Sequence, residues 1–423
     1  MKNIIIESNR DFIWNALGSL IYAMASIVLA FAVIRIAGPS EGGIFGFGFS
    51  TLGQQMFIIS YFGIRPFHIT DMKRQFSFSD YLLTRRITSL LAFFGSLLFV
   101  GIQMMEGNYD IHKSMILVLL SVYKIIDGYA DVYESELQRQ DKLYRTGQSL
   151  AFRTSLSVLT LLLVLLVSGN LLIAVAAADV MQIMGTKLFA VRVLGKGLAP
   201  SEREFKKSYE LISSTALLFL SVFVDFYIFS ASKYAIDAEL SDAASGYFNV
   251  LFMPTSFIYL IANFLIRPML TKLATYYSEN NKRAFDRTCI YMVKAVAVLS
   301  ILILILTFIF GRFGLGIFEF LLGPSADGKL VSEFMTFALL IVGGSLYAFA
   351  NVMYYILVTV RKQLQIFIGY VMTAAVAILT AGPMVRNQGM FGGALNYVML
   401  MSLLTVIFTL YTIVSVRKIN ENS

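Results

Sequence analysis

A helix needs about 20 apolar residues to cross roughly 30 Å of hydrocarbon, and apolar runs of close to that length recur along the whole of this chain. They predict about twelve transmembrane helices, near residues 12–36, 43–64, 83–103, 114–135, 150–168, 171–191, 210–231, 246–266, 289–310, 332–357, 364–383 and 391–416. A membrane barrel would show short segments alternating between apolar and polar faces, whereas Leu156 to Val167 and Ala295 to Phe310 are almost continuously apolar. Ser168, Gly169 and Asn170 form a tight hairpin between two such runs. The first run, Phe12 to Ala37, lacks the small-residue cleavage site that ends a signal peptide, so it is expected to remain as the first span.

The longest hydrophilic stretch in mid-chain, Arg192 to Ser208, contains Gly195, Gly197 and Pro200, which discourage a continuous helix. It is expected to separate an N-terminal six-helix lobe, 1–200, from a C-terminal six-helix lobe, 201–423. The halves echo one another. Gly63-Ile64-Arg65-Pro66-Phe67 is expected to close the second span and Leu265-Ile266-Arg267-Pro268-Met269 the eighth; Tyr144 to Gln148 before the fifth matches Val360 to Leu364 before the eleventh. Two parallel repeats of six helices is a transporter arrangement. Each echo also has a bland reading, since Arg snorkels and Pro stops helices at many span ends.

Composition agrees with the pattern: 57% of residues are AVILMFWYC and 14% are DEKR, against about 25% charged in soluble proteins. No stretch is left for a soluble catalytic domain. Of the 34 Lys and Arg, Arg35, Lys113, Lys233, Arg312, Lys329 and Arg386 fall on one side of the predicted membrane and Lys124 within it; the rest lie on the side of both termini. Basic residues near span ends are retained in the cytoplasm, so both termini are expected there. The net charge of +8 then reflects topology and anionic lipid, with no nucleic-acid partner. Cys289 is the only cysteine and His68 and His112 the only histidines, which exclude an internal disulfide and disfavour a metal site. No cofactor is expected.

Ionisable groups within spans are costly unless they face protein or water. Lys124, Asp127, Asp131 and Glu134 are spaced three, four and three apart, which confines them to one side of a helix. That side is expected to line an internal aqueous cavity; the alternative is a local Lys124 to Asp127 ion pair with acids at the interface. Asp179 and Asp225, each isolated among apolar residues, are candidate ion-coupling groups together with Asp127 and Asp131, or partners for a basic residue on a neighbouring helix. Arg35 and Lys294 lie near span ends, where snorkelling explains them. The matched placement of Arg65 and Arg267 raises a second possibility, that both reach an anionic headgroup. The amides Asn249, Asn263, Asn351 and Asn396, with Gln54, Gln55 and Gln182, suit a carbohydrate or bind helices together. The candidate substrate-binding set is Arg35, Arg65, Lys124, Arg267, Lys294, Asn249 and Asn351. Gly42 and Gly46, in a glycine-rich run without a following Lys-Ser or Lys-Thr, are expected to pack helices and not to cradle a nucleotide. H-E-x-x-H, G-x-S-x-G, Walker and Asp-rich prenyl-pyrophosphate motifs are absent, so transport would draw on an ion gradient or the substrate's own.

The segment Ile34-Arg35-Ile36-Ala37-Gly38-Pro39-Ser40-Glu41-Gly42-Gly43-Ile44-Phe45, followed by Tyr61-Phe62-Gly63-Ile64-Arg65, resembles the bacterial polysaccharide biosynthesis flippases. These are the O-antigen and capsule repeat-unit translocases of the multidrug/oligosaccharidyl-lipid/polysaccharide (MOP) exporter superfamily. The match is concentrated in the first 70 residues. It departs at Tyr61-Phe62, where members often have an acid before the second Gly, so no role of that acid carries over. The resemblance implies an all-α MATE-like fold, with two six-helix lobes around a cationic cavity in the bacterial inner membrane. It further implies alternating-access transfer of a polyprenyl-diphosphate-linked glycan to the outer leaflet, with membrane lipids, glycosyltransferases and a polysaccharide polymerase as partners. A cation-coupled drug or metabolite antiporter is the alternative; a membrane-embedded polymerase fits less well, because the longest outer loop, about Gly311 to Val331, is modest.

Overall fold

The computed structural model describes residues 2–71, 75–195 and 205–421. The described residues are helical, with no strand among them. The chain divides into two compact units, Met1–Phe223 and Val224–Ser423, so the division falls inside a helix. The expected boundary at 200/201, within the link predicted from Arg192 to Ser208, lies outside the described residues.

The first unit contains α1 (Lys2–Ala37), α2 (Pro39–Phe47), α3 (Gly53–Tyr61), α4 (Ile64–Thr70), α5 (Phe78–Met105), α6 (Ile111–Arg139), α7 (Leu143–Ser168), α8 (Leu171–Thr186), α9 (Arg192–Leu194) and the first part of α10 (Phe205–Glu239). Single π-helical turns, Gly48–Leu52 and Lys187–Val191, join α2 to α3 and α8 to α9, so each pair crosses as one interrupted span. Gly38, at φ 91°, makes the turn out of α1, and Pro39 opens α2 where a missing N–H costs nothing. A Cβ on Gly42 would collide with Ile34, which accounts for the expected close packing at that glycine. Phe62 and Gly63 both take left-handed conformations and end α3 before α4 turns away. Polar caps set other starts: Ser77 and Asp80 form a capping box for α5, and Asp110 caps α6.

In this unit α1 and α7 meet backbone to backbone. A Cβ on Gly147 would meet the Trp14 carbonyl, and one on Gly18 the Gly147 carbonyl. Backbone cannot move aside as a flexible side chain can, so Gly147→Ala is expected to destabilise the unit by about 1–3 kcal/mol. An unchanged unfolding midpoint in detergent would contradict this.

The second unit contains the rest of α10, then α11 (Asp242–Ser278), α12 (Lys282–Leu322), a 3₁₀ turn (Pro324–Ala326), α13 (Phe334–Thr359) and α14 (Gln363–Glu421). Gly389, at φ 60° and ψ −140°, breaks α14 into two helices, which correspond to the predicted eleventh and twelfth spans. Two expectations need correction. The helix α11 does not stop at Pro268 but runs through it to Ser278, whereas its counterpart near Pro66 does break, at Gly63; the glycine and not the proline is what ends the span. The outer loop expected from Gly311 is helical as far as Leu322, since its apolar residues continue the periodicity of α12.

The second echo is structural. The turns joining α6 to α7 and α13 to α14 carry a left-handed residue at Asp141 and Arg361. They also share a hydrogen-bond pattern, Lys142 N–H to Leu137 O and Lys362 N–H to Leu357 O, both 2.9 Å.

Among the described residues nine helices are long and apolar enough to cross a membrane. The nine include neither the interrupted α2–α3 segment nor the charged α6, and they take α14 whole; with these resolved the architecture is the expected all-α bundle of about twelve spans.

Candidate functional site

In the first unit the charged face of α6 is the organising feature. Lys124, Asp127, Asp131 and Glu134 are all buried, and their partners come from five surrounding helices. Arg153 on α7 pairs with both Asp127 and Glu134. Gln182 on α8 donates to Asp127 at 2.6 Å, and Ser149 donates to Glu134 at 2.8 Å. Asp131 receives Arg85 from α5 at 3.0 Å on one oxygen and Arg65 from α4 on the other. The Arg65 guanidinium also donates to the Gln138 side chain at 2.8 Å. Lys124 reaches across to the Tyr22 hydroxyl on α1 at 3.0 Å, its ammonium 3.9 Å from the Phe49 ring centroid.

This arrangement corrects the expectation that the α6 face lines an aqueous cavity, and the alternative of a local Lys124 to Asp127 pair. The acids are satisfied by arginines of neighbouring helices in a packed interior, because a buried carboxylate without a cation is far costlier than a paired one. The unit does hold a cavity of about 390 Å³, lined by Ser89, Ile125, Ile126, Tyr129, Tyr133, Ile183, Thr186, Lys187 and Val191; none of the four charged residues of α6 borders it. Arg85 and Arg153 are the residues that sequence reasoning missed. Arg153 lies inside the predicted fifth span, a signal that was available, but near enough its end to be read as a topology marker.

Below this network, the short α4 is latched to α6. His68 and Glu136 meet at 2.9 Å, Arg139 holds the same carboxylate at 2.7 Å, and the imidazole stacks on Tyr81 at 3.9 Å between ring centroids. The Tyr81 hydroxyl donates to Asp71 in the following loop. Partial burial pushes the Asp71 carboxyl upward, but the Phe76 and Gln75 amides and the Tyr81 hydroxyl outweigh it and hold the group below the usual carboxylate range.

Asp179 is different from the other acids. It is 6% exposed on α8, one turn before Gln182, and among the described residues neither of its carboxylate oxygens has a hydrogen-bond partner. Arg35, on α1, is exposed.

The second unit has a different interior. Tyr347 donates to Asp225 at 2.9 Å, with Tyr370 also in reach. Rings continue from there on both sides: Tyr347 lies 5.4 Å from Tyr259 and 5.2 Å from Phe229, which meets Phe252 at 5.1 Å. Tyr355 donates to Asn263 at 2.9 Å and lies within hydrogen-bonding reach of Arg267. Among the described residues Arg267 has no carboxylate partner. Asn249 and Asn351 donate to carbonyls one turn back on their own helices, at 2.9 and 3.0 Å. Asn396 accepts from Ser232 and donates to Thr380, binding helices together. Lys294 is exposed on α12. The structure therefore gathers Lys124, Asp127, Asp131 and Arg65 in one network and Asp225 with a set of tyrosines. It leaves Lys294 and Asp179 outside both.

No protein-family model matches the chain, and no curated protein matches it. Solved structures do. An inward-facing multidrug-resistance MATE family transporter of the MOP superfamily matches with a TM-score of 0.72 and 12% identity, over 95% of this chain and 96% of that one. An outward-facing structure of such a transporter matches at 0.55 and 13%, over 98% and 96%. A MOP superfamily transporter from Pyrococcus furiosus matches at 0.56 and 13%, over 98% and 96%. The fold is similar to that of MATE transporters. At this identity the MATE-like likeness concerns the fold, and it accords with a multi-pass membrane protein of two helical units. The flippase resemblance in the first 70 residues is a finer matter that the MATE-like fold leaves to the chemistry of the site.

Proposed function

We propose that this chain is a transporter that turns a polyprenyl-diphosphate-linked oligosaccharide from the cytoplasmic to the outer leaflet of a bacterial inner membrane, both termini in the cytoplasm. The observation that carries the reading is a difference between the two units. The buried arginines of the first, Arg85 and Arg153, are matched to carboxylates, whereas the exposed Arg267 of the second has none among the described residues and stands beside Tyr355, Asn263 and Tyr259. A cation without an acid suits a diphosphate, and amides with aromatic faces suit sugar rings. A drug antiporter that carried cations would need the opposite polarity. The P. furiosus MOP transporter is described as having a binding pocket of reverse polarity that suggests a different function, so this fold admits such a change.

The role envisaged for Arg65 passes to Arg267, because Arg65 is committed to Asp131 and Gln138. Asp179, with both oxygens unpartnered, is the acid we assign to ion coupling in place of Asp127 and Asp131. The same carboxylate favours the second reading, a cation-coupled antiporter, and the substrate decides between them.

In cells that depend on this chain for a surface polysaccharide, Arg267→Ala should lower that polysaccharide about tenfold or more at unchanged protein level, as expected for a lost charge-assisted contact. Arg267→Lys should keep a measurable part of it. Full polysaccharide in Arg267→Ala cells would remove the residue from the mechanism.

A further inference from the structure

Lys233 lies about 9 Å from the end of α10 at Glu239, at 1.5 Å per residue. It is 7% exposed, and its ammonium stands 4.4 Å from the centroid of the Phe252 ring. Among the described residues no carboxylate pairs with it and no oxygen accepts from it.

Snorkelling does not explain this placement. A lysine that only sought the nearer membrane surface would extend toward the end of its helix. Phe252 lies about 15 Å along α11 from its start at Asp242, deeper than the Lys233 backbone, so the ammonium points into the unit. That is the direction in which side chains lean on a helix running this way.

The faces around the ammonium hold further donors. Ser245, Asn249 and Phe252, spaced four and three apart, share one face of α11, and Ser230 is one turn before Lys233 on α10. The Oγ atoms of Ser230 and Ser245 are buried and have no hydrogen-bond partner among the described residues. The ammonium and the two hydroxyls thus have no acceptor within hydrogen-bond reach among the described residues, and a buried polar group left in that state is costly. A ligand rich in anionic oxygen would satisfy all three.

We infer that Lys233, with Ser230 and Ser245, forms a second oxyanion station, which receives the diphosphate of the carried lipid after it leaves Arg267. This rests on the lipid-diphosphate transport proposed above. The span fits: Phe252 to Arg267 is about 22 Å along α11, most of the roughly 30 Å of hydrocarbon. The rings of Phe229, Tyr347 and Tyr259 lie between the two cations and offer stacking faces to sugars. The carboxylate of an acidic sugar has the same oxyanion chemistry as the diphosphate, so the test separates these two sources.

The full chain in lipid nanodiscs is titrated by calorimetry with farnesyl diphosphate and, separately, with a glucuronate oligosaccharide. Wild type should bind farnesyl diphosphate, and Arg267→Ala should weaken that binding without abolishing it. Adding Lys233→Met to Arg267→Ala should remove the residual binding, a loss of about tenfold or more, whereas adding Lys233→Arg should keep it and also show that the site still folds. The glucuronate titration should be the same with Lys233 or Met at this position. Residual farnesyl diphosphate binding that survives Lys233→Met, or that Arg267→Ala alone eliminates, would overturn the second station and leave the transport reading in place. A loss confined to glucuronate would overturn its assignment to the diphosphate. Failure of the wild type to bind farnesyl diphosphate would overturn both.

Discussion

Replacing Arg153 by Met is expected to cost the first unit about 3–5 kcal/mol, the usual penalty for stranding a buried charge. Arg153 is 1% exposed, and without it Asp127 keeps Gln182 and Tyr22 as partners while Glu134 keeps Ser149, with no cation on either. Two acids about two turns apart on α6 would then repel each other in a medium that screens poorly. Removing the charges together should reverse most of the loss: Arg153→Met with Asp127→Asn and Glu134→Gln should unfold in detergent close to the wild-type midpoint. A single Arg153→Met variant as stable as wild type would mean that the network is hydrated and not packed.

Asp179→Asn is expected to show the opposite profile. Among the described residues its carboxylate has no cation and no hydrogen bond to lose, so neutralisation should leave the unfolding midpoint unchanged or higher. Transport driven by a pH gradient should fall about tenfold or more, because the group that exchanges the ion is gone. Asp127→Asn, by contrast, should destabilise the unit, since it leaves Arg153 with only the longer contact to Glu134 at 3.4 Å. Full gradient-driven transport by Asp179→Asn would return the coupling role to another acid, with Asp225 and its Tyr347 contact the next to examine.

Periodicity exposed the spans well because an unbroken apolar run has few alternatives in a bilayer. Even the charged α6 was legible, since spacings of three and four put its ionisable groups on one side. What lay opposite that side was not legible. Arg85 on α5 and Arg153 on α7 are distant in sequence, and pairing across helices leaves no mark on either segment. Arg65 and Arg267 show the converse difficulty: identical local motifs ended in different surroundings, because Asp131 faces one and Tyr355 the other. The break at Gly389 and the two π turns were equally hidden, as each keeps the apolar composition of its neighbours while changing only backbone geometry.

Transfer of an anionic, lipid-linked cargo can be followed in a reconstituted bilayer. Proteoliposomes containing the chain are loaded with a fluorescent short-chain polyprenyl-diphosphate oligosaccharide, and the rate at which the label becomes accessible to an external quencher is followed. Rapid exposure is expected with wild type, little with Arg267→Ala and none in protein-free vesicles. Exposure at the protein-free rate with wild type, alongside efflux of a cationic drug, would rule out transfer of a lipid diphosphate and favour the antiporter.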